Sequence, residues 1–120
     1  MSASPLRVLL IEDCETDAIL VLRALRRLKR PVQHERIETE LAMREALGRT
    51  TWDLILSDWS LPQFGADRAL ATLKDVGSDI PFIIVGATVN EEVAVEAMRA
   101  GASDFLSKDK LARLSPAVER

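Results

Sequence analysis

The chain has 120 residues, 48% of them hydrophobic and 29% charged, with five Gly, five Pro and one Cys. That is one domain with room for a single core, and the composition excludes disorder, collagen-like repeats and a disulfide scaffold. Sixteen basic against nineteen acidic residues leave a formal charge of −3, which provides no electrostatic footprint for direct nucleic-acid binding.

The N-terminus, Met1-Ser2-Ala3-Ser4-Pro5, lacks the basic and apolar regions of a signal peptide. Leu6-Arg7-Val8-Leu9-Leu10-Ile11 is nearly continuous in apolar residues, as expected of a strand buried on both faces. Asp13 to Arg30 switches to helical spacing, with Ala18, Leu22, Leu25 and Leu28 as its apolar stripe and Pro31 as its stop. The cluster Arg23, Arg26, Arg27, Lys29 and Arg30 reads as a solvated helix face whose cations complement the helix dipole. Val32 to Glu38 alternates weakly and predicts an edge strand, with His34, the single histidine, in a structural role. Thr39 is the expected N-cap of a second helix ending near Gly48.

Asp53 to Ser57 predicts the next buried strand, Leu61 to Gly65 a loop, and Ala66 to Val76 a third helix. Ile80 to Val85 is the most apolar strand. The stretch from Ile80 to Ala87 is still far short of the ~20 residues that cross a bilayer. Asn90 to Ala100 is helical with Gly101 as its C-cap, Ser103 to Leu106 is a short strand, and Asp109 opens a helix still running at Arg120. Five strands alternating with five helices predict an α/β fold, a parallel sheet covered on both faces. Residues 1–120 are expected to be a single domain, the N-terminal piece of a longer protein, with a cytoplasmic location.

Ligands of open parallel sheets bind beyond the carboxyl ends of the strands. Those ends carry Glu12 and Asp13, then Asp58, then Gly86-Ala87-Thr88, then Ser107-Lys108. Singly, each has a plainer reading: Glu12-Asp13 as a solvated helix start, Asp58 as a turn cap, Lys108 as surface charge. Their joint placement favours a site. If the first and third strands are neighbours about 4.8 Å apart, Asp13 and Asp58 converge, and such a pair calls for a cation. Few hard oxygen ligands, with positions left for water and phosphate, describe Mg²⁺. Lys108 fits as a point charge for a phosphoryl group. Trp52 and Trp59 read as packing residues, and Cys14 as a small packing or surface residue beside acidic neighbours.

These residues resemble the receiver domain of two-component response regulators and hybrid histidine kinases. The resemblance runs from about Leu6 to the chain end, through Val8 to Asp13, Asp53 to Asp58, Leu61-Pro62 with Gly65, Pro81 to Val85, Ala100 to Phe105, and Lys108. It implies a flavodoxin-like (βα)5 fold with strand order 2-1-3-4-5. It makes Asp58 the phosphoacceptor and gives Mg²⁺ to Asp13, Asp58 and the Ser60 carbonyl, with Glu12 acting through water. Lys108 would pair with phosphoryl oxygens. Implied partners are a sensor histidine kinase or histidine phosphotransfer domain, an output or kinase domain in the parent chain, and a homodimer as one arrangement; no membrane partner is implied.

Gly86 stands where receivers usually carry Ser or Thr, with the Thr88 hydroxyl two residues on. Phe105 occupies the aromatic switch position, and Asp109 follows Lys108 where many receivers have proline. Gly86 supports a rival reading as a pseudo-receiver that only binds proteins. A flavodoxin-like FMN protein would need an amide- and hydroxyl-rich loop where Glu12-Asp13-Cys14-Glu15 stands. A haloacid-dehalogenase-type phosphatase would need an acid at Ser60, and no glycine-rich fingerprint supports a dinucleotide site.

Overall fold

In β1 (Leu6–Ile11), Val8 and Leu10 face one side of a sheet while Leu9 and Ile11 face the other, and all four are buried. The structure is a computed structural model that describes residues 5–28, 30–59, 64–86, 91–107, 113 and 118. After β1 come α1 (Glu15–Leu25), β2 (Val32–Ile37), α2 (Glu40–Arg49) and β3 (Leu54–Asp58). Then follow α3 (Ala66–Asp75), β4 (Phe82–Gly86), α4 (Glu91–Arg99) and β5 (Asp104–Ser107). All strand pairs are parallel, in the order β2-β1-β3-β4-β5, the flavodoxin-like order expected.

Each face of the sheet has its own core. Leu9, Ile55, Phe82 and Ile84 pack with Met43 and Ala46 of α2, Leu70 and Leu73 of α3, and Ala97 of α4. Val8, Leu54, Leu56, Ile83 and Val85 pack with Ala18, Val21 and Leu25 of α1, and Val118 lies against this second cluster. Fully burying each of the larger side chains, Val, Leu, Ile, Phe or Met, contributes roughly 1.5–3 kcal/mol. The central strands read as unbroken apolar runs because both faces are covered.

Local chemistry sets the helix ends. The Thr39 side chain accepts from the Ala42 N–H at 3.1 Å, the expected N-cap of α2. At Gly101 (φ +112°), the Ala102 N–H donates to the Ala97 carbonyl and the Gly101 N–H to Met98. This closes α4 as a Schellman turn. Gly77 (φ +73°) closes α3 in the same way.

Several boundaries differ from those the sequence suggests. The first helix stops at Leu25 rather than Arg30, because the Arg27 and Leu28 N–H groups bond three residues back, to Ala24 and Leu25. That tightens the last turn. Gly48 does not end α2, which continues to Arg49. The Ala46 carbonyl is satisfied by the Thr50 N–H and by the Trp52 indole at 3.0 Å, so no glycine turn is required. Asp53 precedes β3 and brackets Arg7 instead, accepting from its N–H at 2.9 Å while its own N–H donates to the Arg7 carbonyl. Strand β5 starts one residue late, at Asp104. The helix expected from Asp109 onward lies outside the described residues, apart from 113 and 118.

Among the surface pairs, Arg44 joins α2 to α3 through Asp75 at 2.8 Å and also reaches Glu40. The Asp75 hydrogen bond, then that of Glu40, raises the Arg44 pKa above its ordinary value. At this exposure such pairs stabilise little.

Candidate functional site

Parallel pairing brings the carboxyl ends of β1, β3, β4 and β5 to one edge of the sheet. In register, Ile11 lies opposite Ser57, Asp58 opposite Val85, and Gly86 opposite Ser107. Asp58 therefore ends the central strand, half-buried, directly beyond the point where β1 gives way to Glu12.

Glu12 is 2% exposed, an unusual place for a carboxylate unless it is held. Its backbone is fixed to β2: the Glu12 N–H donates to the Ile37 carbonyl, and Arg36 Nη1 donates to the Glu12 carbonyl at 3.1 Å. Its Oε1 accepts from the Cys14 N–H at 3.1 Å, at the entry to α1. Asp17 sits in the first turn of α1, where the helix dipole favours negative charge.

Single carboxylate oxygens of Glu12, Asp17 and Asp58 all lie within 4.8 Å of one another. Oxygens sharing one Mg²⁺ are at most about 4.2 Å apart, twice the metal–oxygen bond length. The cluster is near that span, and its all-oxygen donor set suits a hard divalent cation. Asp13 is exposed and is not a member of this group. Strand ends alone point to Glu12 and Asp13 and do not point to Asp17. Its signal is its position in the first helical turn, directly after the acids that end β1.

Phe105 is half-buried on β5, and its ring lies 6.0 Å from that of Trp59 at a tilt of 55°. The residue after Asp58 thus touches the expected switch aromatic. Both tryptophans pack against the core as expected. Cys14 is exposed at the N-cap of α1, and His34 is exposed on β2. Gly86 is buried in β4 with extended backbone and is not among the positive-φ glycines. Ser60, Thr88 and Lys108 lie outside the described residues, as does the peptide between Lys108 and Asp109.

Comparison with known proteins places this edge in a family. The sequence profile of the response regulator receiver domain matches residues 8–119. The regulatory protein LuxO of Vibrio cholerae serotype O1 is 42% identical over 64 residues, which cover 53% of this chain and 14% of LuxO. The luminescence regulatory protein LuxO of Vibrio campbellii is 41% identical over the same length. The chain thus spans about one-seventh of the curated relatives it matches.

Among solved structures, the signal receiver domain of a LuxO repressor protein from Vibrio parahaemolyticus superposes with a TM-score of 0.79 at 26% identity. It covers 98% of this chain and 92% of that one. The Mn²⁺-bound form of response regulator Rcp1 gives 0.70 at 25% identity, covering 96% and 92%. A response regulator from Hahella chejuensis, 24% identical and covering 95% and 92%, shares the fold with a TM-score of 0.81. The strand order that brings these acids together is thus the order of a known signalling fold, and with 8–119 matched the chain belongs to the response regulator receiver domain family.

Proposed function

We propose that this receiver domain takes a phosphoryl group onto Asp58 from a phosphohistidine and changes its surface in response. The observation that carries the reading is the convergence of Glu12, Asp17 and Asp58 at the end of the central strand. In the transfer, an Asp58 carboxylate oxygen attacks phosphorus in line and the P–N bond breaks, its electron pair going to nitrogen. The imidazole, already protonated on its other ring nitrogen, leaves as the neutral base. Positioning and charge neutralisation supply most of the catalysis.

Asp13, Asp58 and the Ser60 carbonyl would hold Mg²⁺, with Glu12 contributing through water and Asp17 adding a further carboxylate. When bound, the cation neutralises charge on the phosphoryl oxygens. Buried Glu12, fixed by Cys14 and Arg36, keeps the acidic edge in place. Lys108 is proposed to pair with the phosphoryl oxygens, and Gly86, Thr88 and Phe105 to form the switch.

The donor would be a sensor histidine kinase or a histidine phosphotransfer domain in the cytoplasm. An output or kinase domain in a longer parent chain would read the switched surface. No described helix is long and apolar enough to cross a membrane. Incubation with phosphoramidate and Mg²⁺, followed by intact mass, tests the reading. One added phosphoryl group with Mg²⁺ and none in a parallel incubation with EDTA is the expected result, and none with Mg²⁺ present would contradict it. Gly86 favours the second reading, a pseudo-receiver that works as a phosphorylation-independent interaction module. In that case the protein gains no phosphoryl mass under either condition.

A further inference from the structure

Among the described residues the sheet has an open edge at β2, which pairs with β1 alone. The Leu6 N–H donates to the Pro31 carbonyl and the Glu12 N–H to that of Ile37. With the register running from Leu6 opposite Val32 to Ile11 opposite Ile37, the phase of the ladder is fixed. Gln33, Glu35 and Ile37 turn their backbone groups toward β1, and Val32, His34 and Arg36 turn theirs outward.

Beside that edge, at the C-terminal end of α1, lies a groove of about 290 Å³ lined by Leu22, Arg26, Arg30, Pro31, Val32 and His34. Leu22 and Val32 are half-buried and packed on the core, which gives the groove an apolar floor. Among the described residues its charged lining is cationic, with no carboxylate. Arg26, with neighbouring Arg23 and Arg27, forms no ion pair among the described residues.

Two plainer explanations are incomplete. Complementing the dipole of α1 accounts for Arg23 and Arg26, but the effect fades within the last turn. The helix ends at Leu25, short of Arg30 and His34. Charge on an edge strand also guards against aggregation, and that role does not need an apolar floor between the cations.

We propose that the β2 edge and this groove dock an extended peptide segment of a partner protein, carrying acidic residues two positions from an apolar one. In such a segment alternate side chains face the same side of the sheet. The apolar residue would cover Leu22 and Val32, and the flanking acids would meet the cationic rim at Arg26. The outward backbone groups of Val32, His34 and Arg36 would pair with the peptide backbone, the strand-addition mode of recognition. A second copy of this chain would bring like charge to the cationic groove. Nucleic acid would use the arginines and leave the apolar floor uncovered.

The test uses the whole domain, ¹⁵N-labelled, and the peptide acetyl-Thr-Glu-Thr-Val-Thr-Glu-Thr-amide. The expected result is saturable movement of the Val32, His34 and Arg36 amide resonances, with affinity falling at least about tenfold in Arg26→Glu. His34→Pro removes only an outward N–H, a change edge strands tolerate, and should abolish the movement. If that variant loses its folded spectrum, Arg26→Glu and the map of shifts decide alone. No saturable movement on β2 would overturn the proposal. So would equal binding by the lysine version of the peptide or by a short oligothymidylate, or unchanged affinity in Arg26→Glu.

Discussion

Asp17, in the first turn of α1, places a carboxylate oxygen within 4.8 Å of one from Asp58, at the end of β3. The two come close because α1 starts only three residues after Glu12, which itself lies beside Asp58 at the strand ends. A third negative charge at this distance raises the demand for a cation.

Removing that charge should weaken Mg²⁺ binding. Trp59 adjoins Asp58, so a Mg²⁺ titration of tryptophan fluorescence reads the site. Asp17→Asn and Asp13→Ala should each raise the midpoint, by about tenfold for loss of one hard ligand or its close neighbour. A titration of Asp17→Asn that superposes on wild type would remove it from the metal site.

Gly86 predicts a weak switch. A hydroxyl there would donate a charge-assisted hydrogen bond to the phosphoryl group, contributing roughly 1.5–3 kcal/mol. Only a contact made in one state shifts the balance between states. Gly86→Ser should therefore enlarge the amide protection that beryllofluoride induces over residues 87–100. The strand backbone at Gly86 does not demand glycine, since positive φ occurs at Gly77 and Gly101 rather than here. Strong protection already present in wild type and lost in Thr88→Ala would transfer the role to Thr88.

The tilted contact between Trp59 and Phe105 should make Trp59 a reporter of the switch aromatic. In a Trp52→Phe background, Phe105→Ala should move Trp59 emission to longer wavelength, because the ring loses apolar cover. Such pairs contribute about 0.5–1.5 kcal/mol, so the urea midpoint should fall modestly as well. An unmoved emission maximum would separate the two residues.

Thr39→Ala tests the cap of α2. Loss of the hydrogen bond to the Ala42 N–H should cost about 1 kcal/mol. It should appear in urea as a lower midpoint with unchanged slope. No fall in the midpoint would mean that water satisfies the N–H equally well.

The sheet was legible because Leu9, Ile55 and Ile84 belong to runs that only burial on both faces explains. Gly101 was legible as a helix stop because α4 turns into positive φ there. Gly48 misled, since a glycine near a helix end need not stop it when Trp52 caps the Ala46 carbonyl. Among the acids, Glu12 and Asp58 follow from strand ends alone. Asp17 depends on the approach of the first turn of α1 to the end of β3, a tertiary relationship that spacing along the chain does not carry.

The most direct measurement locates the phosphoryl group. The protein is phosphorylated with phosphoramidate and Mg²⁺, reduced with borohydride, and mapped by peptide mass spectrometry. Reduction of an aspartyl phosphate leaves homoserine. Homoserine at position 58, and its absence from Asp58→Asn, is the predicted result. Homoserine at Asp13 or Asp17, or at no position in a protein that had gained phosphoryl mass, would contradict the account.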